Sequence, residues 1–378
     1  MAMAEQHAVI EGLTVVGDLF RPDGQGRPGG VDRMTCWLWN ALKRPVFRAT
    51  GLPAETLTTR SSPALHEFVC SVRTAADADA YWASIYERVP ESDQVERLIV
   101  APLRRRFCIG YEMPPWLTHL LLSRGIPFID LRLHPVRFMD DLLFAARACC
   151  PEVQRSLGDL AVYENEVLVT AGLREAMSCL ISDAKIPDNT LLVAGQRRFD
   201  STQIVAGTFF DAVPCTAEIH RICAQYAAVV LKPHPLDMQH SLLAVAAAAP
   251  TQVIGIVSDN TYQLLGFPQI RGILTVNSSL ATEAAYFDKQ VHTLAPLPVT
   301  TAWRGAPFVP DSYLSLGDVV LTPDFWRVAL APYVAVTPTD GMRLPPKPNR
   351  LRIALDSFWN YHQIDTDRIP RSGYGTIR

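Results

Sequence analysis

The segment LKPHP, residues 231–235, places Lys232 and His234 between two prolines directly after a predicted strand. Proline restricts the backbone, so both side chains are held in fixed directions at the end of that strand. A lysine and a histidine held in this way are suited to binding a phosphate or a nucleotide. The alternative is a tight strand exit with an exposed lysine and a structural histidine, and the segment alone favours neither.

The segment VNSSLATE, residues 276–283, follows another predicted strand and opens a predicted helix. Ser278 and Ser279 at such a start offer hydroxyl and backbone N–H groups to an anion. Glu283, one turn further on, is placed to reach a ribose hydroxyl. The alternative is an ordinary capping box formed by Ser279 and Glu283, and the segment taken alone favours that alternative.

The segment GQRRFDS, residues 195–201, contains a carboxylate beside two arginines. Asp200 in this position is suited to act as a nucleophile while Arg197 and Arg198 hold an acidic substrate. The alternative is a solvated loop with local salt bridges.

A fourth pair of segments, GYEMPP at 110–115 and LHPVRFMDD at 133–141, lies in the first half of the chain. Glu112 ends a predicted strand just before a helix that starts with proline, so its carboxylate is expected to face a cleft. The alternative for Glu112 is a favourable interaction with the helix dipole. Asp140 and Asp141 are interpreted as charges at a helix N-terminus.

Alternating strands and helices must position these segments. Such alternation indicates parallel sheets with crossover helices, in which ligands lie beyond the carboxyl ends of the strands. The pattern predicts one domain over 1–186, a second over 187–335, and a tail, 336–378, that packs back on the first. Strands are predicted at 13–20, 98–101, 107–111, 127–131, 191–194, 228–231, 252–254, 272–276 and 291–294. Helices are predicted at 31–42, 115–124, 140–148, 153–184 (broken near Gly158 or Gly172), 217–225, 238–249, 262–266, 279–287 and 351–361.

Composition restricts the class of protein. The 378 residues are 48% hydrophobic and 19% charged, which is enough apolar side chain for a core and excludes wholesale disorder. Thirty-five basic residues against 38 acidic ones give a net charge of −3, which argues against a nucleic-acid partner. No secretory signal and no apolar run of about 20 residues is present, so a cytoplasmic protein is expected. Any contact with the inner membrane would be peripheral, through the basic clusters Lys43-Arg44 and Arg104-Arg105-Arg106.

Several common chemistries are absent from the sequence. The eight cysteines include no CxxC pair, which predicts reduced core thiols and no zinc site. No P-loop, HExxH or GxSxG pattern occurs. No metal cofactor is expected.

The order of three motifs resembles a known family. GQRRFDS, KPHP and NSSLATEA are similar to the Gln-xxx-Asp-x-Ser, His-Pro and Ser-Ser motifs of the bacterial retaining β-Kdo transferases of capsule and lipopolysaccharide assembly. Kdo is 3-deoxy-D-manno-oct-2-ulosonic acid. YEMPPWL and GIPFIDLRLHPVRFMDDLLF also resemble the N-terminal half of that group, so the resemblance covers about residues 107–294. The chain differs at Asp288-Lys289-Gln290-Val291, where many relatives carry a Gly-Lys-Pro-Val-like turn.

This resemblance implies a GT-B-like fold, with two Rossmann-type α/β domains and the active site in the cleft between them. It implies CMP-β-Kdo as donor and a hydroxyl of a bacterial surface glycan as acceptor, with partner glycosyltransferases in the same assembly. Asp200 matches the nucleophile position, and Glu112 is the candidate acid/base. The candidate donor-binding residues are His234, Lys232, Ser278, Ser279, Glu283, Gln196, Arg197, Arg198 and Arg137.

Two other functions remain open at this point. One is an inverting, sialyltransferase-like enzyme for another CMP-nonulosonate, in which Asp200 is a general base. The other is a non-catalytic CMP-binding scaffold within a polysaccharide-assembly complex. The anomeric configuration of the product, or a sugar–enzyme adduct, separates the two enzymes, and CMP binding without turnover identifies the scaffold.

Overall fold

The computed structural model describes residues 10–72, 77–181, 186–238, 240–256, 260–339, 347 and 349–355. The described strands form two sheets and one small hairpin. They are β1 (Gly12–Val16), β2 (Ala54–Leu57), β3 (Arg106–Tyr111), β4 (Phe128–Leu133), β5 (Phe144–Ala148), β6 (Thr190–Ala194), β7 (Ile204–Val205), β8 (Thr208–Phe209), β9 (Ala228–Lys232), β10 (Gln252–Ile256), β11 (Ile270–Thr275), β12 (Gln290–Thr293), β13 (Thr301–Ala302) and β14 (Tyr313–Leu316).

The helices connect these strands and cover both faces of each sheet. They are α1 (Asp32–Thr50), α2 (Pro63–Val72), α3 (Ala78–Ile85), α4 (Asp93–Val95), α5 (Ala101–Leu103), α6 (Pro115–Ser123), α7 (Pro151–Gly158), α8 (Glu164–Ile181), α9 (Thr216–Cys223), α10 (Ser241–Ala247), α11 (Thr261–Gly266), α12 (Ser279–Ala285), α13 (Pro323–Leu330) and α14 (Arg350–Leu355). A π-helical stretch, Glu96–Val100, joins α4 to α5, and Ser201–Gln203, Val213–Cys215 and Asp318–Leu321 are 3₁₀ turns.

The first domain contains a seven-stranded sheet with the order β13-β14-β5-β4-β3-β1-β2. Strands β1 to β4 are parallel, and β5 runs antiparallel to both of its neighbours. Every residue of β1 is buried, as expected for a central parallel strand covered on both faces. The order reverses between β1 and β3, so the loops after these two strands open a crevice at the carboxyl edge of the sheet.

The second domain contains a five-stranded, all-parallel sheet with the order β10-β9-β6-β11-β12. Numbered from its own first strand this is 3-2-1-4-5, the Rossmann order, with the reversal between β6 and β11. All five residues of β6 are buried, whereas the edge strand β12 is partly exposed. The chain is therefore a two-domain α/β protein with two Rossmann-type sheets, as the sequence predicts.

Four apolar clusters form the core, two in each domain. In the first domain, α1 and α13 pack in a cluster that includes Phe144 and Trp326. In the second domain one cluster contains Val136 and Phe138, which come from the loop after β4. This loop thus fastens the two domains together through buried apolar contacts.

Two predicted elements are wrong in type. Residues 98–101, predicted as a strand, are helical, within Glu96–Val100 and the start of α5. Residues 140–148, predicted as a helix, end in strand β5, which is stabilised by pairing with β14. The long predicted helix 153–184 is broken after Gly158 into α7 and α8.

The chain also returns to the first domain earlier than predicted. Strands β13 and β14 pair into the first sheet, and α13 packs against α1. The predicted second domain, 187–335, is therefore too long at its end, because residues from 301 onward complete the first sheet. Of the predicted tail helix 351–361, residues beyond 355 lie outside the described part of the chain, and its start coincides with α14.

The cysteines are all free thiols, but they do not all lie in the core. Cys108 and Cys223 are buried, whereas Cys70 and Cys179 are exposed. Among the described helices, none is long and apolar enough to cross a bilayer.

Candidate active site between the domains

A cavity of about 710 Å³ lies between the two domains, where the loops at both strand-order reversals meet. The loop after β3 contributes Glu112, and the loops after β6 and β11 contribute Asp200 and Ser278. The cavity therefore occupies the place where open α/β sheets bind ligands. Eight of the predicted site residues line it: Glu112, Arg137, Gln196, Arg197, Asp200, His234, Ser278 and Ser279.

Asp200 is held in place by both domains. Its Oδ1 accepts hydrogen bonds from Thr202 N at 3.0 Å and Thr202 Oγ1 at 3.1 Å, and so caps a 3₁₀ turn. Its Oδ2 accepts from Arg21 Nη2 of the first domain at 3.3 Å. Burial alone would raise the pKa of Asp200, but Arg21 and the Thr202 hydrogen bonds outweigh it and hold that pKa below its usual value. Asp200 is therefore an ionised carboxylate at neutral pH.

Glu112 follows β3 with a positive φ of 48°, a left-handed conformation that is uncommon outside glycine. Two hydrogen bonds fix this turn: Glu112 N donates to Leu131 O at 2.9 Å, and Met113 N donates to Asp130 Oδ1 at 2.9 Å. Burial raises the pKa of Glu112 although Arg132 and Arg21 oppose the shift, and the charge of Asp200 adds to the rise. Glu112 thus keeps its proton to a higher pH than an exposed glutamate.

The surroundings of the two carboxyl groups shift their pKa values in opposite directions. Asp200 is the stronger acid because its cation and hydrogen-bond partners stabilise the charged form. Glu112 is the weaker acid because it is desolvated beside a charged Asp200. Two carboxyl groups with opposite shifts in one cavity are the arrangement that supports separate nucleophile and acid/base roles.

His234 lines the second-domain side of the cavity. Its Nδ1 accepts a hydrogen bond from Leu236 N at 3.1 Å, so the neutral ring carries its proton on Nε2. Burial lowers the pKa of His234, against the attraction of Asp200 and Asp237. The ring is therefore a neutral donor at pH 7, of the kind that can bond a phosphate oxygen.

Asn277 joins the loop that carries Asp200 to the loop that carries Ser278. Its Nδ2 donates to Thr202 O at 2.6 Å, and its Oδ1 accepts from Gln196 at 3.2 Å and Gln203 at 3.1 Å. Gln196 Oε1 in turn accepts from Asn277 N at 2.9 Å. Gln196 therefore uses its amide to position this loop. Ser278 Oγ accepts a hydrogen bond from Leu280 N at 3.2 Å and so caps the N-terminus of α12.

Three predicted binding residues do not line the cavity. Glu283, predicted to reach a ribose, is only 3% exposed, because its Oε1 accepts from Arg137 N at 2.7 Å and Tyr262 Oη at 3.1 Å. Because Glu283 makes these two contacts, it does not form the capping box with Ser279. Lys232 is buried at the end of β9, and Arg198 is exposed outside the cavity, where its backbone N–H donates to Asp237.

Arg137 has its backbone fixed on both sides. Glu283 accepts from its N–H, and the Arg352 guanidinium donates to its carbonyl oxygen. The Nε of Arg137 is buried and has no hydrogen-bond partner among the described residues. Asp141, interpreted as helix-start charge at 140–148, instead accepts from Leu351 N and Arg352 N at the start of α14.

The sequence pattern did not reveal the charged residues that the first domain brings to the site. Arg21 pairs with Asp200, Arg132 lowers the pKa of Glu112, and Arg147 and Tyr313 also line the cavity. Arg21 lies in the loop after β1, at the strand-order reversal, so the strand-end rule could have found it. Arg147 and Tyr313 lie on strands that the sequence pattern did not predict.

The basic cluster 104–106, considered for membrane contact, is paired with acidic side chains. Arg105 contacts Glu11 at 2.7 Å, and Arg106 contacts Glu55 at 3.2 Å. Arg104 pairs with Glu96. These pairs reduce the positive charge that the cluster offers to an anionic surface.

Within the described part of the chain, no group of three or more His, Cys, Asp or Glu side chains is arranged to hold a metal ion. No protein-family model matches the chain, and no curated protein matches it.

Solved structures show remote likenesses. KpsC of Thermosulfurimonas dismutans, a β-Kdo 2,7 transferase, is 14% identical, with 54% of this chain and 69% of that one aligned and a TM-score of 0.31. S. aureus MnaA, solved with UDP, is 13% identical over 93% and 90% of the chains, with a TM-score of 0.26. A dipicolinate synthase from Bacillus halodurans is 12% identical over 60% and 64%, with a TM-score of 0.17. The sheet topology defines the class by itself: a GT-B-like pair of Rossmann-type domains with a cavity between them.

Proposed function

We propose that this protein transfers Kdo from CMP-β-Kdo to a hydroxyl of a bacterial surface glycan with retention of configuration. The observation that carries the proposal is the pair of carboxyl groups, Asp200 and Glu112, with opposite pKa shifts in one interdomain cavity. The motif resemblance supplies the identity of the sugar. The presence of two carboxyl groups in one cavity, one from each domain, supports their action on a single anomeric carbon.

The second domain is the nucleotide side in this proposal. His234 donates from Nε2 to the phosphate of CMP, and Ser278 and Ser279 also line the cavity from the second domain. Arg197 and Arg137 also line the cavity and offset the negative charges of the phosphate and of the Kdo carboxylate. A monophosphate leaving group can be stabilised by such fixed donors, so the reaction needs no metal in this proposal.

The chemistry takes two displacements. Asp200 attacks the anomeric carbon as the bond to the CMP phosphate oxygen breaks, and CMP takes that electron pair. The acceptor hydroxyl then attacks the same carbon, its proton passes to Glu112, and Asp200 leaves as a carboxylate. Each displacement inverts the carbon, so the product keeps the configuration of the donor.

Intact-protein mass spectrometry after adding CMP-Kdo without an acceptor tests the proposal. Added Kdo mass is expected on the wild type and should accumulate on Glu112→Gln, which slows transfer by about 10²–10⁴-fold. Asp200→Asn should carry no adduct and lose transfer by about 10³-fold or more. Asp211→Asn, an exposed aspartate of the same domain, is the matched control.

Two results would overturn this mechanism. Absence of added Kdo mass on both the wild type and Glu112→Gln, with an inverted product anomer by NMR, would identify an inverting enzyme in which Asp200 is a general base. CMP binding with no turnover of donor on any glycan acceptor of a synthetic panel would identify a non-catalytic scaffold.

A further inference from the structure

Two arginines of the first domain line the cavity away from the nucleotide side. Arg132 lies on β4 and Arg147 on β5, and both line the cavity together with Tyr313 of β14. Asp130 pairs with Arg147 in the register of β4 and β5, and Arg132 is two residues beyond Asp130, so all three side chains lie on one face of the sheet. Arg147 has no role in the chemistry proposed above, and Arg132 enters it only by lowering the pKa of Glu112.

Tyr313 holds both guanidinium groups. The Arg132 guanidinium carbon lies 4.5 Å from the ring centroid of Tyr313, and that of Arg147 lies 5.1 Å from it. Tyr313 Oη donates to Asp130 Oδ2 at 2.6 Å, which fixes the ring. Stacking on one anchored ring pre-orients two planar cations before any ligand arrives.

The carboxylates that contact these arginines do not occupy all of their hydrogen-bond donors. Asp130, which is fully buried, accepts from Arg132 Nη2 at 3.2 Å, but the Nε of Arg132 is buried with no hydrogen-bond partner among the described residues. The acidic partner of Arg147 is Asp311, 3.6 Å away, whose side chain is 89% exposed. An ion pair so exposed is worth little, so Arg147 can exchange Asp311 for a ligand at small cost.

The geometry points to an acceptor-side subsite in which Arg132, Arg147 and Tyr313 bind an anionic group. This inference rests on the proposed function and names its acceptor class: a glycan that carries a carboxylate or phosphate close to the hydroxyl that receives Kdo. Guanidinium groups bind either anion in a bidentate manner, and a tyrosine ring beside them offers a surface to a sugar face.

The test measures binding of small sugar probes to the protein saturated with CMP, so that the nucleotide side is filled. Methyl glucuronide, methyl glucoside 6-phosphate and methyl glucoside are titrated by calorimetry or ligand-observed NMR. At least one of the two anionic probes should bind at least tenfold more tightly than the neutral one. The tighter of the two identifies which anion the acceptor carries.

Arg147→Gln should lose that preference by at least tenfold. It is chosen over Arg132→Gln because removing Arg132 takes a cation from the buried Asp130 and threatens folding. Arg155→Gln is the matched control: its guanidinium also stacks on an aromatic ring, 4.8 Å from Phe308, but it does not line the cavity. The control should bind all three probes as the wild type does.

The subsite is overturned if neither anionic probe binds in preference to the neutral one, if Arg147→Gln binds them as the wild type does, or if they displace CMP. These failures are distinct from failure of the proposed function. If the protein binds CMP and forms the Asp200 adduct but shows no preference for anionic probes, only the subsite is overturned. If CMP does not bind, the same titrations without CMP still decide the subsite.

Discussion

Arg21 Nη2 of the first domain donates to Asp200 Oδ2 of the second domain across 3.3 Å. The pair is mostly shielded from water, with the arginine side chain 16% exposed and the aspartate side chain 33% exposed. Arg21 also lies over the ring of Trp82, 5.2 Å from its centroid, which keeps the guanidinium directed at the cavity. The first domain therefore controls the charge of the carboxylate that the second domain supplies.

Arg21→Gln should move the acidic limb of the pH profile of kcat/KM to higher pH by roughly one unit. The pKa of Asp200 is held low partly by Arg21, and that of Glu112 is also lowered by it, so both carboxyl groups hold their protons longer in the variant. Each must be ionised to act, so activity is lost at a higher pH as the pH falls. The measurement is initial rate against pH at low donor concentration.

Arg27→Gln is the control for Arg21→Gln. Arg27 pairs with Asp23 in the same loop at 2.9 Å, but its side chain is 68% exposed. Its profile should coincide with that of the wild type. Coincidence of the Arg21→Gln profile as well would mean that Asp200 does not set the acidic limb.

Glu283→Gln should remove one contribution to the pH dependence of the free energy of unfolding. Burial raises the pKa of Glu283 to about 7, against hydrogen bonds and charges that lower it. The folded state holds this proton at pH values where the unfolded chain has released it. Its stabilising effect is complete below the unfolded pKa of about 4.5 and is lost as the pH rises through 7, by up to about 3 kcal/mol.

The measurement compares urea unfolding of wild type and Glu283→Gln at pH 5 and pH 8. Glutamine keeps an acceptor for Arg137 N and Tyr262 Oη. The free energy of unfolding of the variant should therefore rise relative to that of the wild type as the pH rises. Glu164→Gln is the control, because Glu164 also accepts from a tyrosine, Tyr286, but at an exposed position. An equal difference between wild type and Glu283→Gln at both pH values would contradict the prediction.

CMP should raise the melting temperature of the wild type, and His234→Ala should weaken that effect. A ligand that binds only the folded state stabilises it, by about 2.7 kcal/mol at one hundred times its Kd. Loss of one phosphate donor should lower affinity about tenfold, which removes about 1.4 kcal/mol at the same CMP concentration. Thermal scans over a CMP series measure this, with the exposed His66→Ala as control. Superimposable titrations of His234→Ala and wild type would place the nucleotide elsewhere.

The sequence predicts well those strands in which every residue is buried, because burial then requires an apolar residue at nearly every position. Every residue of β1 and of β6 is buried, so both read as short apolar runs. In contrast, β5, within residues 140–148, is a strand because it pairs with β4 and with β14, which lies far along the chain. The helical segment Glu96–Val100 is short and apolar, and periodicity cannot separate such a segment from a strand.

The same distinction applies to the cavity. Asp200 and His234 follow strands of the second sheet and Glu112 follows a strand of the first, so each lies at the carboxyl edge of its own sheet. Arg147 and Tyr313 lie on strands that the sequence pattern did not reveal, and Glu283 faces a loop of the other domain. Local patterns therefore locate the strand-end residues, whereas the partners that set their charges depend on contacts between distant segments.

Asn277→Asp should reduce both stability and transfer. The Asn277 side chain donates to Thr202 O at 2.6 Å and to Pro296 O at 3.3 Å, and the residue is only 3% exposed. Aspartate replaces that donor with a second acceptor, so a buried carboxylate faces two carbonyl oxygens. The expected cost is about 3 kcal/mol or more in the free energy of unfolding.

Thr202 also donates both hydrogen bonds to Asp200 Oδ1, so displacement of its carbonyl moves the nucleophile. Transfer by Asn277→Asp should therefore fall even at temperatures where the protein remains folded. Urea unfolding and single-turnover rates measure the two effects. Asn189→Asp is the control, because the Asn189 amide also donates to a backbone carbonyl, Gln225 O at 3.1 Å, at an exposed site outside the cavity. Unchanged single-turnover rates in folded Asn277→Asp would show that the Thr202 turn positions Asp200 without Asn277.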